Sequence, residues 1–208
     1  MAAVRPEDNL ELESGWLCLD FANTAEWHLS ERPTERLTSY AELIAWARAI
    51  GLLPDRTAQQ LRRAAEQRPA EAARVLERAV ALREAIYHIF VAVAEEHSPS
   101  ADDQITLNAE LSRSLARSQL VWHQANFDWS WQGEDGDLDQ VLWRVLRSTT
   151  DLLTSEDIQR VGVCADDRGC GWLFYDTSRN RTRQWCSMRG CGNRAKARRH
   201  YEKVKSEE

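Results

Sequence analysis

Four cysteines fall within a short stretch of the chain: Cys164, Cys170, Cys186 and Cys191. They form two close pairs, with five residues inside the first, fifteen between the pairs and four inside the second. Two pairs of thiolates are the donor set of a tetrahedral zinc site, each pair coming from one tight turn. The gap is long enough to return the chain through a hairpin. Gly169 and Gly171 flank Cys170 and provide the backbone freedom such a turn needs. The other reading of the pattern is buried free thiols or one disulfide. Four thiolates close the coordination sphere, so a zinc held here is structural, with no open position for catalysis. The stretch from 164 to 205 has few large apolar residues, and metal would supply folding free energy that burial alone does not.

A basic run follows at once. From Arg160 to Lys205 there are twelve Arg or Lys against four acids, a local charge of +8. The whole chain carries -6, so the remainder carries -14. Such a split between segments points to two modules with different partners. Residues 172–185 read as strand, turn, strand, with the turn at 178–180, and 192–205 as a helix. At 100° per residue, Ala197, Tyr201 and Val204 form one face, expected to pack on the hairpin. The cationic remainder fits a DNA major groove. Its candidate contacts are Arg179, Asn180, Arg181, Arg183, Asn193, Arg194, Lys196, Arg198, Arg199 and Lys203. A solvated helix whose charges pair with the acidic body is the competing reading. Asn193 and Arg194 could instead brace the zinc turn through hydrogen bonds near the ligands.

The elements that must carry this module are mainly helical. "SYAELIAWARAIGLL" reads as a helix capped by Ser39 and closed by Gly51 and Pro54. Helices are expected over 55–67, 70–96 and 101–114. The apolar stripe of the 70–96 helix comprises Val75, Ala79, Leu82, Ile86, Ile89 and Val93. Trp122, Phe127, Trp129 and Trp131 alternate about a turn near 125–126, a β-hairpin signature. Helix returns over 137–154. Residues 16–22, "WLCLDFA", read as a short strand. Seven tryptophans here suit either an ordinary core or a small-molecule pocket, for which Asn23, Thr24, Trp27 and His28 are the candidates.

The stretch "CGWLFYDTSRNRTRQWCSMRGCGNRAKARRHYEK", with Cys191-Gly192-Asn193-Arg194 at its centre, resembles the CGNR zinc-finger family over about 160–203. "LCLDFANT" and "ELIAWARAIGLL" resemble the ABATE domain that accompanies this finger, over about 15–150. The resemblance implies one Zn²⁺, DNA binding and a role as a stress-induced transcription regulator. It implies no ligand for the N-terminal domain.

The chain therefore reads as an α+β protein. A mainly helical sensor or assembly domain with a small β-hairpin spans 1–155, and a treble-clef-like finger of β-hairpin and helix spans 156–208. No nucleophile elbow, phosphate loop, metalloprotease helix or carboxylate pair is present, so no enzyme is expected. A protein- or RNA-docking finger is the alternative function. The expected partners are DNA, a small-molecule effector and a second copy of the chain. Without an apolar segment of membrane length or a leader, a cytoplasmic location is expected.

Overall fold

The computed structural model describes residues 12–123, 125–132 and 136–206, without the side chains of His200, Lys203 and Ser206. Seven α-helices and three two-stranded antiparallel sheets make up the described architecture. Helix α1 (Leu17–Ala22) and the long α4 (Pro69–Ala94) are central. Around them lie α2 (Tyr40–Ala49), α3 (Asp55–Gln67), α5 (Ala101–Leu115) and α6 (Gln140–Leu153). Ser39 Oγ accepts the Glu42 amide, and Ser100 Oγ accepts the Asp103 amide. Each satisfies a donor that a helix start leaves open. Arg78 of α4 bonds to Glu110 of α5 and to Asp139 just before α6, clamping three helices by one guanidinium.

Residues 17–22 are helical, where alternation suggests a strand. Leu17, Cys18, Leu19, Phe21 and Ala22 are all buried. A short run buried on every side has no polar face, so its periodicity does not distinguish strand from helix. Asp20 is the least buried residue of the run, partly exposed at the edge of that core. Its carboxylate accepts the amides of Glu13 and Ser14 at 2.9 Å each.

Strand β1 (Ala25–Glu26) pairs with β2 (Thr34–Glu35), and β3 (Ser118–His123) with β4 (Asn126–Trp131). Strand β5 (Val161–Val163) pairs with β6 (Leu173–Tyr175). The last pairing differs from the expected one. The partner of "LFY" lies before the first cysteine, not after the 178–180 turn. Residues 176–187 form no strand.

Val161 and Leu173 belong to the same buried cluster as Phe21, Leu82 and Phe90. The β5–β6 hairpin is thus built into the helical core. Its free edge is closed by a side chain. Asn23 Nδ2 donates to the Leu173 carbonyl and its Oδ1 accepts the Leu173 amide, both at 2.9 Å. The Ser14 carbonyl accepts the Tyr175 amide at 2.9 Å. "LDFAN" is therefore a scaffold: Asp20 fixes residues 13–14, and Asn23 and Ser14 together take the place of a third strand.

Replacing Asn23 by Ala leaves a buried amide and carbonyl unpaired, a loss of about 2–4 kcal/mol in denaturant unfolding. Burial raises the Asp20 carboxyl from 3.8 to about 6. The folded state holds this proton more tightly than the unfolded chain, so stability falls as pH rises from about 4 to 6. Between pH 5 and 7, Asp20→Asn should gain on the wild type by about 1–2 kcal/mol in urea titrations.

Candidate zinc centre and basic surface

The first knuckle is the turn of the β5–β6 hairpin. The Cys164 amide donates to the Trp172 carbonyl at 2.8 Å, and the Gly169 amide to the Asp166 carbonyl at 3.0 Å. Gly169 and Gly171 have φ of +87° and +65°. A Cβ on Gly169 would stand 2.6 Å from the Ser30 amide nitrogen, and one on Gly171 2.9 Å from the Tyr87 hydroxyl. Close approach to the body, together with left-handed backbone, requires both glycines. The amides of His28 and Leu29 donate to the carbonyls of Cys170 and Gly169, which seats the knuckle on the β1–β2 loop.

The second knuckle starts at Cys186. Ser187 Oγ accepts the Gly190 amide, and a π-helical turn over Met188–Gly192 carries Cys191 into α7 (Asn193–Ser206). Arg183 holds the approach to it. Its guanidinium donates to the carbonyls of Tyr175, Trp185 and Cys186 and lies 4.7 Å from the centre of the Phe174 ring.

All four Sγ atoms lie within 4.8 Å of one another, and no disulfide joins them. Zinc–sulfur bonds of about 2.3 Å place tetrahedral sulfurs about 3.8 Å apart. Cys170 and Cys186 are 3.8 Å apart, and Cys186 and Cys191 3.7 Å. The donor set, its spacing and its burial therefore fit one zinc ion. The thiols of Cys170 and Cys186 donate to Cys164 and hold its pKa well below the usual thiol range, so it ionises first. Burial and that thiolate push Cys191 up to about 12. Zinc, when bound, supplies the positive charge that lets all four ionise together, and it ties the two knuckles into one unit.

Polar side chains surround the cluster. Arg194 Nη2 donates to Cys191 Sγ at 2.9 Å and to Asp166 at 3.3 Å. Asp166 is buried and also bonds to the Arg168 side chain, which holds its carboxyl well below the usual range. The guanidinium carbons of Arg168 and Arg194 lie 5.1 and 5.6 Å from the centre of the Trp27 ring. Trp27 lines the cleft beside the cysteines with Glu26, Trp172 and Arg194. His28 stacks on Tyr87 with ring centres 3.7 Å apart, and its Nε2 lies 3.2 Å from Glu84. Burial opposes ionisation of Glu84, but bonds from His28 and Arg83 prevail and hold it at about 2. Arg83 also forks onto Glu35 at 2.6 and 2.7 Å, and the Tyr87 hydroxyl donates to the Gly171 carbonyl. This partly buried Arg–Glu–His–Tyr set gave no signal in the sequence as a set, because Arg83, Glu84 and Tyr87 come from α4 whereas His28 and Glu35 come from the distant β1–β2 segment.

The residues considered for a pocket separate. Asn23 is buried and bonds to β6, and Thr24 Oγ1 donates to the Phe21 carbonyl. Trp27 faces the finger, whereas the His28 ring packs on Tyr87 and Glu84 of α4.

The candidate DNA contacts also separate. Arg183 and Arg194 are engaged as described, and Arg198 pairs with Asp167 at 2.5 Å. Asn193 Nδ2 donates to the Arg189 carbonyl at 3.4 Å. The Lys203 side chain lies outside the described residues. Arg179, Asn180, Arg181, Lys196 and Arg199 are exposed. Among the described residues no carboxylate pairs with those four cations, nor with Arg189 and Lys205. Helix α7 does not dock by the expected face: Ala197 is exposed, as are Tyr201 (74%) and Val204 (43%). Its first turns are held instead by the Arg194 and Arg198 ion pairs and by Arg199 over the Trp185 ring.

Comparison with known families then decides the assignment. Residues 15–156 match the ABATE family, described as "putative stress-induced transcription regulator". The chain belongs to the ABATE family. Residues 160–204 match the CGNR zinc finger. Both are regulator or zinc-finger families rather than enzyme families. No curated protein matches the chain. No helix among the described residues is long and apolar enough to cross a membrane.

Because Arg194 touches a ligand sulfur, Arg194→Ala should weaken zinc retention about 10- to 100-fold against a competing chelator. Cys186→Ser should abolish stable retention. In both variants the far-UV helical signal of α1–α6 should persist, since their core does not include the second knuckle.

Proposed function

We propose that this ABATE protein is a zinc-dependent DNA-binding transcription regulator. Residues 156–208 would make the nucleic-acid contact, and residues 1–155 would act as the sensor or assembly domain, in the cytoplasm. We assign it no catalytic step. The observation that carries the reading is the set of exposed cations on the finger that no carboxylate among the described residues pairs: Arg179, Arg181, Arg189, Lys196, Arg199 and Lys205. Cations that neutralise the chain's own acids are spent. These are not, and phosphates are the partner their chemistry suits.

The division of labour among the arginines supports the same reading. Arg183, Arg194 and Arg198 hold the finger together, and so fix where the free cations stand. Asn180 and Arg181 sit at an exposed turn, with Arg181 at a φ of +51°. Lys196 and Arg199 are three apart on α7 and so lie on one side of it. Phosphate contact by these groups would set affinity, and any base reading would come from the Arg and Asn side chains among them.

The test is fluorescence anisotropy of labelled duplex DNA with the zinc-loaded full chain across a salt series. Binding should be saturable, with log K falling steeply against log salt. The double substitution Arg181→Ala and Lys196→Ala should flatten that slope by about 2 and leave zinc content unchanged. Absence of binding at low salt, or a slope unaffected by the substitutions, contradicts the proposal and turns the search to protein or RNA partners.

A further inference from the structure

The β3–β4 hairpin presents one face that the fold does not cover. Its register sets Leu120 opposite Trp129 and Trp122 opposite Phe127, with Trp131 beyond them opposite Ser118. Side chains alternate across a ribbon, so Leu120, Trp122, Phe127, Trp129 and Trp131 share a face. Gln119, Val121, His123, Asn126, Asp128 and Ser130 take the other. The base of the apolar face is anchored on α6. Arg147 lies 4.7 Å from the centre of the Trp129 ring and Arg144 5.8 Å from that of Trp131. Towards the tip the face is open: Leu120 is 57% exposed, Trp122 62%, Phe127 64% and Trp129 39%. Trp122 and Phe127 pack edge to face at 5.0 Å, which makes the open part a firm aromatic surface.

We infer that this face is a homodimer contact, in which the hairpins of two chains pack apolar face to apolar face about a two-fold axis. Three observations select a second copy as the occupant. The first is area. Side chains of this size carry about 200 Å² each, so the exposed fractions leave roughly 450 Å² per chain and about 900 Å² for a pair. Specific association needs about 1,000 Å², so these faces alone come close to it and suit a weak, concentration-dependent dimer. The second is charge. Residues 118–131 hold one formally charged side chain, Asp128, in a chain where 29% of residues are charged. Asp128 lies on the opposite face. Outside the finger segment the chain carries -14, so two copies repel over most of the body and can meet where charge is missing. The third is symmetry. An antiparallel ribbon with apolar partners on both strands is self-complementary, as a two-fold contact requires. The inference does not depend on DNA binding, although a dimer would present two fingers at a fixed separation.

Sedimentation velocity of the zinc-loaded full chain over about 1–200 μM tests it. The wild type should move from monomer to dimer across that range. Trp122→Lys with Phe127→Lys should weaken dimerisation at least about tenfold, with unchanged helical signal and zinc content. Val121→Lys, on the other face, should leave the equilibrium as in the wild type. A wild type that stays monomeric at the top of the range overturns the inference. So does a dimer that survives the double substitution, or one lost equally to Val121→Lys.

Discussion

Four sulfurs must be brought within bonding distance of one point, and the chain has to hold them there from two directions. Cys164 and Cys170 come from the turn of a hairpin whose strands lie in the helical core. Cys186 and Cys191 come from a loop and a π-helical turn with little apolar packing of their own. The first pair is thus positioned by the body of the protein, whereas the second is held by the polar contacts of Arg183, Ser187 and Arg194, and zinc, when bound, would tie it to the first. Asymmetry of this kind explains the glycines at 169 and 171, the seating on the β1–β2 loop, and the two arginines gathered over Trp27. It also explains why α7 can be so polar. The helix is tied down at its first turns by the second knuckle and by ion pairs to Asp166 and Asp167, so it needs no apolar face.

The cysteine cluster and most helices were legible in the sequence. Ligand spacing reflects the geometry of the ion, and the periodic stripe of α4 reflects burial on one side. Signals of that kind survive without knowledge of the rest of the chain. Three features were hidden, each for a physical reason. The run at 17–22 is buried all round, so it lacks the contrast that separates strand from helix. The finger's hairpin was mispaired because "LFY" can find a partner on either side of the knuckle, and the choice is made by the core beneath Val161 and Leu173. Helix α7 was docked by the wrong face because its aromatic and aliphatic residues were expected inside, whereas Arg–Asp contacts carry the attachment. Among the arginines offered as DNA contacts, only Arg194 has bracing of the zinc turn as its alternative in the sequence. In the structure, Arg183, Arg194 and Arg198 are bound by the fold, and the outward set is smaller.

A finger joined to its body in this way is not an independent bead on a linker. The β1–β2 loop touches the first knuckle, His28 and Tyr87 stack beneath it, and the Arg83–Glu35–Glu84 cluster extends the contact into α4 and β2. Removal of the metal therefore releases α7 and the second knuckle first, while the hairpin edge stays bonded to Asn23. In this ABATE protein with a CGNR finger, the helical body and the metal site share a seam of named residues.

X-ray absorption at the zinc edge of the metal-loaded full chain tests the central claim most directly. The account predicts a single shell of four sulfurs at about 2.3 Å with no nitrogen or oxygen neighbour. A shell with fewer sulfurs completed by a light atom, or a chain that takes up no zinc while keeping α7 folded, would contradict it.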